Sequence, residues 1–133
     1  MKEYQQKKMK EFVLPDTVYR QALWATKDLH RIKKRIEEVR DKMDSVISGT
    51  VRESRSVGAY SDRTGNIAAE LAALTARKAA IEDAFDSIPE KYRAGLQKKL
   101  FYGDDFGDEF HLNTWKKWQQ IYIYNVAMKL GLY

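Results

Sequence analysis

A chain of 133 residues with 24 Lys/Arg against 19 Asp/Glu carries a net charge of +5 and has no cysteine. That length fits one domain plus an extension, and the missing thiols exclude a disulfide framework and a thiolate metal site. No apolar run approaches the ~20 residues of a membrane span, and no apolar block follows the N-terminal lysines as it would in a signal peptide.

The expectation is a soluble, cytoplasmic protein, and a pI of about 9.3 suits a polyanion partner. The charge is unevenly spread. Residues 1–48 hold 12 Lys/Arg against 8 Asp/Glu, a net of +4, and residues 49–88 hold 5 against 6, a net of −1. Residues 89–133 hold 7 against 5, a net of +2, and every acid among them precedes Asn113.

Residues 1–15 read as a basic arm, frayed helix or disordered, with Lys2, Lys7, Lys8 and Lys10 around Tyr4 and Phe12. Pro15 disfavours helix just before it, and Asp16 is a cap for a helix beginning there. From there Val18, Ala22, Ala25, Leu29, Ile32, Ile36, Val39, Met43 and Val46 alternate spacings of four and three. That is a heptad seam, which predicts a coiled-coil helix roughly 45 Å long.

Residues 49–65 are rich in Gly, Ser, Thr and Arg without a period, and predict a loop. Its Arg52, Arg55 and Arg63 are expected to be solvated, with nucleic-acid contact as the second reading. The four-three spacing returns at Ile67, Leu71, Leu74, Lys78, Ile81, Phe85 and Ile88, flanked by alanines that let a neighbouring backbone approach. Two heptad helices joined by a loop most simply form a long antiparallel hairpin over 16–88. Ile32, Val39 and Val46 fall on d positions, which argues against a parallel leucine zipper and leaves open a dimer of hairpins.

Ser87-Ile88-Pro89-Glu90 has the form of a capping box with proline at the first turn, and starts a new helix running to about Phe101. Residues 102–110 then form a turn-rich connector whose four acids lack EF-hand spacing, so metal binding is not expected. Acids just ahead of Asn113 instead favour the positive end of the next helix. Catalysis has little support. There is no cysteine, no glycine-rich phosphate loop and no carboxylate pair in an apolar setting, and His30 and His111 stand apart. The expectation is a protein that is not an enzyme and needs no cofactor.

Residues 113–133 read as one helix, with Asn113 as N-cap and Gly131 as stop. Trp115, Tyr122, Val126 and Leu130 recur at helical spacing and predict a buried side, with Trp118 near its edge. Thr114, Lys116, Lys117 and Gln120 populate much of the remainder. Lysine meets phosphates, while Asn, Gln, Thr and Lys read base edges, so this front is suited to a DNA groove. A terminal helix docked on a core, with its lysines merely solvated, accounts for the same residues equally well.

The run from Asn113 to Leu132 resembles the RinA/ArpU-like phage transcriptional regulators of Gram-positive bacteria. Thr114, Trp115, Lys117, Trp118, Val126, Ala127, Leu130 and Gly131 match that family's helix. Ser87 to Arg93 is similar to the proline-started first helix of such domains, which are themselves similar to the DNA-binding region 4 of sigma factors. Only about twenty residues carry the resemblance specifically.

It implies an all-α protein with a helix-turn-helix-like unit over 89–133, and a phage or prophage activator of late genes in the bacterial cytoplasm. The expected partners are double-stranded promoter DNA and host RNA polymerase, and the heptad spacing adds further copies of the chain assembled through those helices. The DNA-binding residues expected on that last helix are Asn113, Thr114, Lys116, Lys117, Gln120 and Tyr124. One departure stands out. Between Leu100 and Asn113 the chain has room for little more than one helical turn, so either the helix from Pro89 is the scaffold or the unit is degenerate. A small-terminase-like packaging subunit and a coiled-coil adaptor without DNA binding are the alternative functions.

Overall fold

The computed structural model describes residues 5–52 and 57–133, with side chains described at 5–48 and 63–133. The fold is all-α, with no strand among the described residues. The helices are α1 (Asp16–Lys27), α2 (Leu29–Arg52), α3 (Val57–Asp83), α4 (Glu90–Tyr102) and α5 (Leu112–Lys129). Two short 3-10 helices lie at Lys10–Phe12 and Ala84–Ser87. No helix among the described residues is long and apolar enough to cross a membrane. The chain divides into two compact units, Met1–Leu29 with Ala79–Tyr133, and His30–Lys78.

That division cuts across the heptad seam. The helix expected to run from Val18 to Val46 breaks at Asp28, whose N–H donates to carbonyls of the preceding turn. Neither proline nor glycine marks the spot. Thr26 is fully buried, and its hydroxyl donates to the Ala22 carbonyl at 2.8 Å, a back-bond that bends helices. Ala22 and Ala25 are therefore buried in the first unit, with Tyr19 and Leu23 beside them, although Ala22 and Ala25 continue the same period as Ile32 and Ile36. At the far end of the seam Ile81, Phe85 and Ile88 likewise belong to the first unit.

The first unit is built around α5, which packs on α1, on the 3-10 turn at Ala84–Ser87, on α4 and on the N-terminal 3-10 turn. Tyr122 is fully buried, stacks on Phe85 at 4.1 Å between centroids, and donates its hydroxyl to the Ile81 carbonyl at 2.5 Å. Burial pushes the Tyr122 hydroxyl well above its ordinary pKa, because the charged form would lose its hydration. Ile121, Ile123, Val126 and Ala127 are buried with it, so the middle of α5 is enclosed on nearly every side. The stop at Gly131 forms as expected: φ is +72°, and the Leu132 N–H reaches back to the Ala127 carbonyl at 2.9 Å.

Three caps differ from expectation. At α1 Pro15 occupies the cap position without a side-chain cap bond, and Asp16 is the first residue of the helix. The Ser87–Glu90 box does not form, because Ser87 Oγ donates to the Ala84 carbonyl at 3.0 Å and accepts from Asn125. Pro89 occupies the cap position, and Glu90 in the first turn favours the helix dipole. At α5 the cap is His111, whose Nδ1 accepts from the Asn113 N–H at 3.1 Å. Asn113 therefore lies inside the first turn.

In the second unit the α2 residues Ile32, Ile36, Val39 and Val46 are buried. Arg35 donates to Glu70 of α3 through Nε at 2.9 Å and Nη2 at 2.6 Å. The α3 residues Ile67, Leu71, Leu74 and Lys78 are only half-buried. The segment expected as a loop over 49–65 is largely helical, because α2 continues to Arg52 and α3 begins at Val57. Of its arginines, Arg63 lies exposed on α3, Arg55 lies outside the described residues, and so does the Arg52 side chain. Lys2 and Tyr4 of the arm also lie outside the described residues.

Candidate nucleic-acid interface

At 3.6 residues per turn, Asn113, Lys116, Lys117, Gln120 and Tyr124 fall within a stripe roughly 100° wide on α5. The two ends of that stripe have different surroundings. At the front, Asn113, Lys116 and Lys117 are exposed, and Thr114 beside them is half-buried. No acid lies anywhere in α5.

From Gln120 onward the stripe is covered by the N-terminal arm. Gln120 is 2% exposed, so it is not available to read base edges as the sequence suggested. Its Oε1 accepts from the Gln6 N–H at 2.6 Å. Its Nε2 donates to the carbonyls of Gln6 at 3.2 Å and Phe12 at 3.0 Å. Tyr124 is half-buried, with Phe12 edge-on at 5.4 Å and Tyr133 at 6.4 Å between centroids. The arm is closed on itself by Gln5, which donates to the Leu14 carbonyl at 2.8 Å and accepts from the Leu14 N–H at 2.7 Å. Two glutamine carboxamides thus stand in for backbone partners and hold residues 5–14 against α5. Nothing in local spacing announces this, because Gln120 and its partners are more than a hundred residues apart.

The opposite side of the front is fixed by aromatic rings. Trp115 is 1% exposed, stacks on Phe106 at 5.5 Å, and meets Phe110 edge-on at 5.4 Å. Its Nε1 donates to the Gly107 carbonyl at 3.0 Å. The connector over 103–111 is therefore an anchored strap: Phe106, Gly107 and Phe110 all grip one indole. Trp115 also lies on Gly95 of α4, where a Cβ would come 2.6 Å from its Cζ3. Trp118 stacks on Tyr92 of α4 at 5.3 Å, and the Lys117 ammonium sits 5.1 Å from the Trp118 ring centroid. Trp115 is core, as its spacing predicted, and Trp118 is half-buried at the edge.

The connector acids Asp104, Asp105, Asp108 and Glu109 are exposed. They belong to the strap whose Phe106, Gly107 and Phe110 meet Trp115. Among the described residues no group of three or more His, Asp or Glu side chains could hold a metal ion. In the second unit a cavity of about 300 Å³ is lined by Lys33, Ile36, Glu37, Arg40, Thr75 and Lys78. It is richer in cations than in carboxylates.

The fold and this exposed front define the class: a helical protein whose last helix is enclosed along its middle and presents exposed Asn113, Lys116 and Lys117 in its first two turns. No protein-family model, curated protein or solved structure matches the chain.

Proposed function

We propose that the chain binds double-stranded DNA through the first two turns of α5 and regulates transcription of phage or prophage late genes. The observation that carries the reading is the split character of α5. Its middle is locked in a core, while Asn113, Lys116 and Lys117 stand exposed on one stripe without an acid in the helix. A recognition helix reads base edges with its N-terminal residues, so a free front on an immobile helix is the geometry that docking needs. Lys116 and Lys117 contact phosphate or guanine, Asn113 reads a base edge, and Thr114 supports the backbone contact. Gln120 has no part in the readout, and Tyr124 lies behind the arm.

The α4–α5 pair would serve as the helix-turn-helix-like unit, with α4 as the scaffold. Its connector is longer than the turn of about 3–4 residues in a standard motif, and the aromatic strap takes over the work of fixing the crossing. α2 and α3 would form the antiparallel hairpin, whose half-buried α3 seam provides the surface for pairing with a second copy. Promoter DNA and host RNA polymerase are the partners that the resemblance to RinA/ArpU-like regulators suggests.

Genome-wide mapping of bound DNA in a lysogen tests the reading. Discrete enrichment upstream of late genes is expected. Enrichment at a single packaging site would replace it with the packaging-subunit reading. No enrichment over a Lys116→Ala/Lys117→Ala control would leave the adaptor reading.

A further inference from the structure

We infer that the N-terminal arm is a second half of the DNA-binding surface, its Lys7 and Lys8 gripping the phosphate backbone beside the groove that the front of α5 enters. The inference rests on the DNA-binding reading above and adds the arm to it.

Three observations carry it. First, the arm has a fixed place. Gln120 holds the Gln6 backbone from both sides and the Phe12 carbonyl as well, and Gln5 closes the loop at Leu14. Second, that place is on the stripe itself. Gln120 lies one turn behind Lys116 on the same side of α5, a rise of about 6 Å. The arm leaves its Gln6 anchor directly into Lys7 and Lys8, and both are exposed. Third, both segments are basic. Residues 5–14 contribute three lysines against one glutamate, and α5 contributes three lysines and no acid. Lysines on two chain segments brought to one stripe match the regularly spaced charge of a duplex backbone. Lys7 and Lys8 would then supply contacts that are blind to sequence, and Asn113 with Lys117 the contacts that are not.

The test compares three full-length variants with the wild type by salt-titrated binding to a duplex from a mapped site and to an unrelated duplex. The variants are Lys7→Ala/Lys8→Ala, Lys116→Ala/Lys117→Ala, and the charge-matched Lys98→Ala/Lys129→Ala, whose exposed lysines lie on α4 and on the opposite side of α5. Each phosphate contact contributes about 0.9 to the slope of log K against log salt, so the arm variant should lose about two. It should weaken binding to both duplexes by the same factor, and the charge-matched variant should lose less than about half a unit of slope.

Gln120→Ala keeps every lysine and removes the anchor. With its helix content unchanged by circular dichroism, it should weaken binding at constant net charge. If the arm variant binds like wild type while the α5 variant fails, the arm inference falls and the DNA reading stands. An equal loss in the charge-matched variant reduces the effect to net charge and also overturns the inference. A wild-type chain that binds neither duplex overturns the reading beneath it as well.

Discussion

Gly95 offers a sharp check on how α5 is held, because two effects of opposite sign meet there. In an open helix, Gly→Ala stabilises by about 1 kcal/mol through helix propensity. At Gly95 a new Cβ would enter the space of the Trp115 indole, 2.6 Å from Cζ3 and 3.1 Å from Cζ2. The indole has no free direction of retreat, being bonded to the Gly107 carbonyl and stacked against Phe106. Overpacking of this kind costs about 1–3 kcal/mol, so Gly95→Ala should destabilise by up to about 2 kcal/mol after the propensity gain.

At roughly 4 °C per kcal/mol for a chain of this size, the melting temperature should fall by up to about 8 °C. Gly65 on α3 provides the opposite sign, since a Cβ there meets nothing within 4 Å. Gly65→Ala should stabilise its helix by about 1 kcal/mol. Circular dichroism melts of both variants make the comparison. A rise in melting temperature for Gly95→Ala, matching Gly65→Ala, would mean that Trp115 does not lie on α4. In a Trp115→Phe background the smaller ring should remove most of the Gly95→Ala penalty, a coupling that a double-mutant cycle measures.

Ile36→Asp places a charge in the buried face of α2 and should cost several kcal/mol; an unchanged thermal melt would mean that this face is not enclosed. Tyr122→Phe leaves the buried Ile81 carbonyl without its donor and should lose about 1–3 kcal/mol at neutral pH. The same variant has a pH signature. The folded state holds the Tyr122 proton well above the unfolded value of 10.0, so wild-type stability should fall as pH rises past 10, where only the unfolded chain releases it. Tyr122→Phe should flatten that alkaline decline, and melts across this range with identical slopes for both proteins would refute the burial of the hydroxyl. Trp115→Ala should cost roughly 3–5 kcal/mol in a chemical denaturation series, and a loss below 1 kcal/mol would remove it from the core.

The elements were legible where a local period or a local cap writes them. The all-α class, the start of α4 after Pro89, the buried Trp115 and Tyr122, and the stop at Gly131 all derive from spacing or from a residue type at a terminus. What sequence could not reveal is which surface each stretch of the period packs against. Val18 to Val46 is one unbroken pattern, yet Ala22 and Ala25 belong to one compact unit and Ile32 and Ile36 to another. An apolar stripe specifies burial and not its partner.

Helix extends into the loop expected over 49–65 because Gly, Ser and Thr are tolerated in helices at modest cost. Gln120 failed for a further reason. Polar residues on an amphipathic helix read as solvent-facing, but a carboxamide can be buried when backbone groups satisfy both its ends, here from residues 6 and 12. The strap was hidden in the same way: its glycines and acids dominated its composition, while Phe106 and Phe110 decide its conformation.

The claim that the front of α5 reads DNA is tested most directly by Lys117→Ala in salt-titrated binding beside a thermal melt. Lys117 is exposed and carries little stability, so the melt should match wild type. If Lys117 meets phosphate, binding should weaken on all sequences and the salt slope should fall by about one. If it meets a base, the loss should be ~1–3 kcal/mol with relaxed specificity at a single position. Binding indistinguishable from wild type across the whole titration, on a protein that melts normally, would contradict that claim.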